Sequence, residues 1–274
     1  MDDQSLVLEE GFAIPAELPG GDGAVEEYVY KAGGALPEAC ADCFLQQHCL
    51  TSKLDSQSRQ AVAEVTDHPR PLQKGEHLYR QSDAFAHLYI VRSGAIKAYS
   101  LDEDGEERIA GFYFPGETLG IDGVAATGHR LSAQALDTTS VCRIDFRAFE
   151  ALFTRHPAIL RHFTYLLCDE IYQRQQPLLA LLQLPAEERL VAFLLDLVQR
   201  LTLHNRTEDA FSLPMSRRDI ARYLCLAEET LSRAFRRLQE RDLLKMRGRK
   251  VTGFDQQRLL AMGVAPASVH GRVH

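Results

Sequence analysis

The apolar and polar positions of this 274-residue chain change their period along its length. Between residues 72 and 146 they form short β-prone runs, at 88–100, 108–114 and 131–144. Turn signals separate them at Lys74-Gly75, Ser93-Gly94, Asp104-Gly105 and Pro115-Gly116. Many short strands at close intervals predict a double-sheet jelly roll or β-roll of roughly a hundred residues. A brief helix at 146–153 stops at His156-Pro157, and a long helix is predicted over 158–182. Its Leu160, Thr164, Leu167, Ile171, Arg174, Leu178 and Leu181 alternate at spacings of four and three, the pattern of a coiled-coil seam. That spacing predicts a homodimer; a helix packed on its own domain is the alternative. Arg174 would meet its symmetry mate in the seam, and Pro177 removes the bond to the Gln173 carbonyl, so a marginal dimer is expected. Pairing of Arg174 with Asp169 or Glu170 would instead make an ordinary interface.

Pro185 opens a further helix whose Leu190, Phe193, Leu194, Leu197 and Leu201 should form the base of a C-terminal domain. Residues 216–238 then read as two short helices across a tight turn. Ser216 and Asp219 make a capping-box-like start, with Ile220, Ala221 and Leu224 inward and Leu226 closing the core. In the second helix Leu231, Ala234, Phe235 and Leu238 form the packing stripe, and Glu229, Ser232, Arg233 and Arg236 the opposite one. Arg can bond guanine O6 and N7 together, Glu can accept from cytosine N4, and Ser can reach a base edge. Those residue types predict sequence-specific binding of double-stranded DNA through a helix-turn-helix. The basic stretch 245–251 around Gly248 predicts a hairpin wing beside the DNA backbone.

Charge changes the picture only when divided along the chain. The net charge is −7, yet residues 1–39 hold nine acids and one base, whereas 211–250 hold eleven bases and five acids. The basic footprint lies on the helix-turn-helix. The acidic, Gly-containing stretch 1–39 reads as a flexible tail. No apolar run is long enough to span a membrane and no secretory signal opens the chain, so a cytoplasmic protein is expected, with its six cysteines reduced or metal-bound.

Cys40, Cys43 and Cys49 form a Cys-x2-Cys-x5-Cys cluster with His48 inside it. Soft thiolates at this spacing suit an iron–sulfur cluster or zinc, either needing a fourth ligand. Cys142, in a strand-like Ser-Val-Cys-Arg-Ile, is the candidate, and His48 could replace one thiolate around zinc. Cys168 and Cys225 read as small core residues. His77, His87 and His129 have no metal-binding spacing and read as surface residues. With neither a Gly-rich phosphate loop nor a nucleophile motif, no enzyme is expected.

The expected fold is α+β, divided as an acidic tail at 1–39, a cysteine-rich segment at 40–55, a β-roll at 56–157, a dimerisation helix at 158–184, a winged helix-turn-helix at 185–254 and a tail at 255–274. In this order, over residues 40–254, the chain resembles the FNR branch, including Anr-type proteins, of the CRP/FNR regulators. The cysteine spacing, the run 132–142 ending at Cys142, Ala-Glu-Glu-Arg-Leu at 186–190 and Glu-Thr-Leu-Ser-Arg at 229–233 carry the resemblance. It implies an oxygen-labile [4Fe–4S] cluster on Cys40, Cys43, Cys49 and Cys142 that favours the dimer when intact. Dioxygen, as signal, would convert it to a [2Fe–2S] form and then destroy it, so activation belongs to low oxygen. It also implies that Glu229, Ser232 and Arg233 read palindromic half-sites of the TTGAT type, and that RNA polymerase is a partner.

Two positions depart from the family: Cys225 stands in the turn where Gly is usual, and Arg174 where an acid is common. Two other regulators remain as alternatives. A cyclic-nucleotide-responsive one would use Gly116-Glu117, Arg130 and Ser132, and another would hold a structural zinc on the four cysteines.

Overall fold

The computed structural model describes residues 40, 43, 45, 48–126, 128–202 and 211–264, except the side chains of 174, 176–182 and 202. The acidic stretch 1–39, the C-terminal stretch from 265 and the side chains of Arg174, Leu178 and Leu181 lie outside the described residues.

The cysteine segment leads into α1 (Ser56–Glu64) and a two-residue strand β1 (Thr66–Asp67). Then follow β2 (His77–Tyr79), β3 (His87–Ser93), β4 (Ile96–Leu101), β5 (Glu107–Tyr113), β6 (Thr118–Leu119), β7 (Ser132–Ala135) and β8 (Ser140–Asp145). One sheet runs β1-β8-β3-β6 and the other β2-β7-β4-β5, in antiparallel pairs, giving a β-roll. Glycines take positive φ at the turns read from the sequence, among them Gly75, Gly94, Gly105 and Gly116.

Strand alternation assigns the two faces of β3 to different cores. Tyr89 and Val91 point between the sheets and pack with Tyr79, Ile96, Ala98, Tyr113 and Val141. Leu88 and Ile90 lie on the other face with Cys142 and Ile144 of β8, under Val62 of α1. Phe149 and Leu152 of α2 (Phe146–Arg155), and Ile159 and Phe163 of α3 (Pro157–Gln183), cover the same face. His129, expected at the surface, is buried: its ring stacks on Tyr79 at 3.7 Å, with Phe85 edge-on, and Nδ1 is 3.5 Å from the Asp122 carboxylate. An imidazole has apolar faces, and here they fill the roll interior while its nitrogen meets an acid.

α3 continues past Pro177 to Gln183. Ile159 and Phe163 are buried against the roll and Leu167 is half-buried there, whereas Leu160, Tyr165, Ile171 and Tyr172 are exposed. Cys168 is exposed as well, not a core residue, because it lies on this outward stripe.

The C-terminal part consists of α4 (Ala186–Thr202), β9 (Phe211–Ser212), α5 (Arg217–Tyr223), α6 (Glu228–Glu240), β10 (Leu244–Arg247), β11 (Lys250–Phe254) and α7 (Gln256–Leu260). The small strands pair in the order β10-β11-β9. Its core gathers Leu190, Phe193, Leu194 and Leu197 of α4 with Ile220, Leu231, Phe235 and Leu238. It also takes in Ala95, Phe112, Phe114 and Leu136 from the roll, so the outer face of the β4–β5 sheet is the surface on which the C-terminal part rests.

Candidate functional site

The cysteine segment is folded by successive tight turns: His48 N–H donates to the Leu45 carbonyl (2.8 Å), Ser52 to Cys49 (2.9 Å) and Leu54 to Thr51 (3.2 Å). Buried Leu45, Leu50 and Leu54 anchor it. On β8, Cys142 pairs directly with Ile90 of β3. Cys40, Cys43, Cys49 and Cys142 thereby line one pocket, walled by Leu45, Val62, Ile90 and Ile144 with the hydroxyls of Thr51 and Thr66. Cys49 Sγ is 3.2 Å from Thr51 Oγ1.

Burial pushes the Cys142 thiol up to about 12, with Arg92 pulling the other way. Burial and then the neighbouring thiols of Cys49 and Cys43 raise Cys40. Such thiols become thiolates only beside a cation. Among the described residues no three His, Cys, Asp or Glu side chains converge closely enough to hold a single metal ion. A lone zinc draws its ligands to about 2.3 Å from one point. A polynuclear cluster gives each thiolate its own iron, so its ligands ring a cavity, and four thiols around a largely apolar pocket fit that group. His48 is exposed and is not among the residues that line the pocket.

At the other end of the molecule Ser216 caps α5: its Oγ accepts from Asp219 N–H (3.0 Å), and its own N–H donates to the Asp219 carboxylate (2.9 Å). Leu231, Ala234, Phe235 and Leu238 of α6 are buried, while Glu229, Ser232, Arg233 and Arg236 are exposed on the opposite side. Glu229 and Arg233 lie 3.7 Å apart, and Arg236 pairs with Glu240 at 2.7 Å. β10 and β11 form a hairpin turning at Gly248 (φ +64°), with Lys245, Arg247, Arg249 and Lys250 exposed. Cys225 is also exposed, at φ +52°: the turn between α5 and α6 does require the left-handed region, and a thiol occupies it at some cost in strain.

Sequence reasoning missed the charged contacts between roll and C-terminal part. Lys97 Nζ, buried on β4, reaches Glu107 at 2.7 Å and Asp219 of α5 at 3.3 Å. Arg222 of α5 pairs with Glu107 at 3.1 Å and with Glu106. The available signal was a lysine flanked by Ile96 and Ala98 inside an apolar strand. Two of the residues that suggested a cyclic nucleotide, Glu117 and Ser132, are engaged elsewhere. Glu117 binds Arg200 of α4, Ser132 Oγ accepts from Gln81 N–H (2.9 Å), and Arg130 is exposed.

A β-roll bearing a winged helix-turn-helix defines a DNA-binding transcription regulator of the Crp type. The cyclic nucleotide-binding domain profile matches residues 69–156, and that of the Crp-like helix-turn-helix domain matches 188–262. The transcriptional activator protein Anr of Pseudomonas protegens is 41% identical over 232 residues, covering 85% of this chain and 94% of that protein. The fumarate and nitrate reduction regulatory protein of Vibrio cholerae is 34% identical, over 84% of this chain and 92% of its own. Among solved structures, FixK2 of Bradyrhizobium japonicum superposes with a TM-score of 0.66 at 30% identity, covering 75% of this chain and all of that one.

The chain belongs to the FNR branch of the CRP/FNR transcription regulators, a family of DNA-binding and typically dimeric proteins, not of enzymes. Among the described residues no helix is long and apolar enough to cross a membrane.

Proposed function

We propose that the protein is an oxygen-responsive activator of genes used in anaerobic growth. Cys40, Cys43, Cys49 and Cys142 would hold a [4Fe–4S] cluster, and the dimer would bind palindromic TTGAT-type sites to recruit RNA polymerase. The observation that carries this reading is the convergence of the three closely spaced thiols with the distant Cys142 on one apolar pocket. Bound there, such a cluster supplies a reaction with dioxygen that alters its charge and its hold on the thiolates. The protein's part would be to hold Cys40, Cys43 and Cys49 against β3 and β8 through the thiolates and buried Leu45 and Leu50, and to exclude water with Val62, Ile90 and Ile144.

Exposed Leu160, Tyr165, Ile171 and Tyr172 offer an apolar face to a second copy of the chain. In the dimer two copies of α6 meet half-sites about one helical turn apart. Arg233 then reads guanine, Glu229 the cytosine of the opposite strand, and Ser232 a neighbouring thymine, with Arg236 beside them.

Anaerobically purified protein is expected to contain four irons and four sulfides per chain, by analogy with the family's cluster. Its broad visible absorption should bleach in air together with loss of duplex binding. A colourless protein carrying zinc overturns the sensor reading and leaves DNA binding in place.

A further inference from the structure

The turn between β5 and β6 is gripped from two sides. On one side Gly116 has φ +88°, and a Cβ there would come within 2.7 Å of the carbonyl oxygen of His48, the residue before Cys49. The missing side chain lets the turn lie directly on the cysteine segment. Gly116 N–H donates to the Val91 carbonyl (2.8 Å) and Val91 N–H to the Glu117 carbonyl (3.0 Å). This ties the turn to β3, the strand whose Ile90 lines the thiol pocket.

On the other side the Glu117 carboxylate accepts from Arg200 of α4 through both oxygens, at 2.8 and 2.7 Å, and from Phe114 N–H at 3.0 Å. Arg200 also donates to the Phe112 carbonyl and to Asp196 (3.1 Å), and its guanidinium lies over the Phe114 ring. α4 in turn holds α6: Glu187 pairs with Arg241, just past the end of α6, at 2.7 Å. A continuous chain of contacts thus runs from His48 through Gly116, Glu117 and Arg200 to the DNA-reading helix.

We propose that the Gly116–Glu117 turn is the joint that couples the state of the cysteine segment to the placement of the DNA-reading helices, with Arg200 as the positioning residue on the far side. This rests on the reading that the four thiols hold an oxygen-labile cluster. While the thiolates are ligated, the segment keeps the His48 carbonyl against Gly116. When they are released, the turn loses the surface it lies on. A forked Arg–carboxylate pair is specific in direction, and a packed interface shifts between discrete arrangements instead of yielding gradually, so a small movement at Glu117 becomes a re-seating of α4.

The test compares binding of a TTGAT palindrome by anaerobic, iron-loaded protein and by the same protein stripped of iron in air. In the parent chain the two affinities differ. Glu117→Gln preserves size and turn but removes the charge. It is expected to keep the parent's iron and sulfide content while the loaded-to-stripped affinity ratio falls at least about fivefold, the lower end of ordinary coupling between sites.

By reciprocity of binding free energies, added duplex should raise the iron that the anaerobic parent retains against a chelator, and do so much less for the variant. Arg200→Lys, which keeps the charge and loses the fork, should act alike and serves if Glu117→Gln melts early. An unchanged ratio in a folded, iron-loaded variant overturns the joint. A parent chain without iron, or one that binds DNA alike in both states, overturns the cluster reading beneath it.

Discussion

Arg233 and Glu229 stand on adjacent turns of α6, 3.7 Å apart and both largely exposed, so each is held ready by the other at little cost. Arg233→Ala should cost about 1–3 kcal/mol on a duplex with the matching G·C pair, and much less once that pair is changed. Competition between duplexes altered one base pair at a time measures it; equal losses on every sequence would make Arg233 a phosphate contact. At this scale the sequence was readable where chemistry depends on neighbours in the chain. The thiol spacing is such a case, as are the two stripes of α6, because a helix fixes which residues share a face. It was unreadable where burial depends on distant partners. Nothing local says that His129 would enter the roll beside Tyr79, or that Cys168 would face outward.

Among the elements, α3 presents its own domain with Ile159 and Phe163 and solvent with Leu160 (45% exposed) and Ile171 (59%). A heptad pattern marks both faces apolar without saying which one the roll takes, and the structure places Leu167 partly against the roll. Ile171→Glu should shift sedimentation of anaerobic protein toward monomer while leaving its melting temperature near the parent's. A variant that stays dimeric would put the seam elsewhere. The β-roll itself followed from short runs and turn residues, since each turn glycine answers a positive φ. The charged surface beneath α5 did not, because alternation in β4 shows that Lys97 leaves the roll interior but not that Asp219 waits there.

Across the whole molecule that Lys97–Asp219 contact makes the union of roll and reading domain sensitive to acid. Burial acts to raise the Asp219 carboxyl, but the hydroxyl and N–H of Ser216 and the Lys97 ammonium outweigh it and hold it below the ordinary 3.8. A depressed carboxylate contributes its stabilisation above its unfolded value and loses it as pH falls through the folded one. Protection of the α5 amides, taken as exchange relative to the free-amide rate at each pH, should therefore hold between about pH 5 and 8 and fall below about pH 4. Lys97→Met should move that loss to higher pH; protection indifferent to the substitution would show that the apolar contacts alone hold α5.

The outward stripe of α3 has a consequence for the cell as well as for the molecule. Where the active species is a pair and single chains predominate, its abundance follows the square of the number of chains. On the proposed reading, in which dioxygen is the signal, synthesis and turnover of the regulator then become an input of equal standing with oxygen. A cell holding few copies would need a deeper fall in oxygen to reach the same transcription, so the response threshold is set by expression history and can be reset without altering a residue of the cysteine pocket.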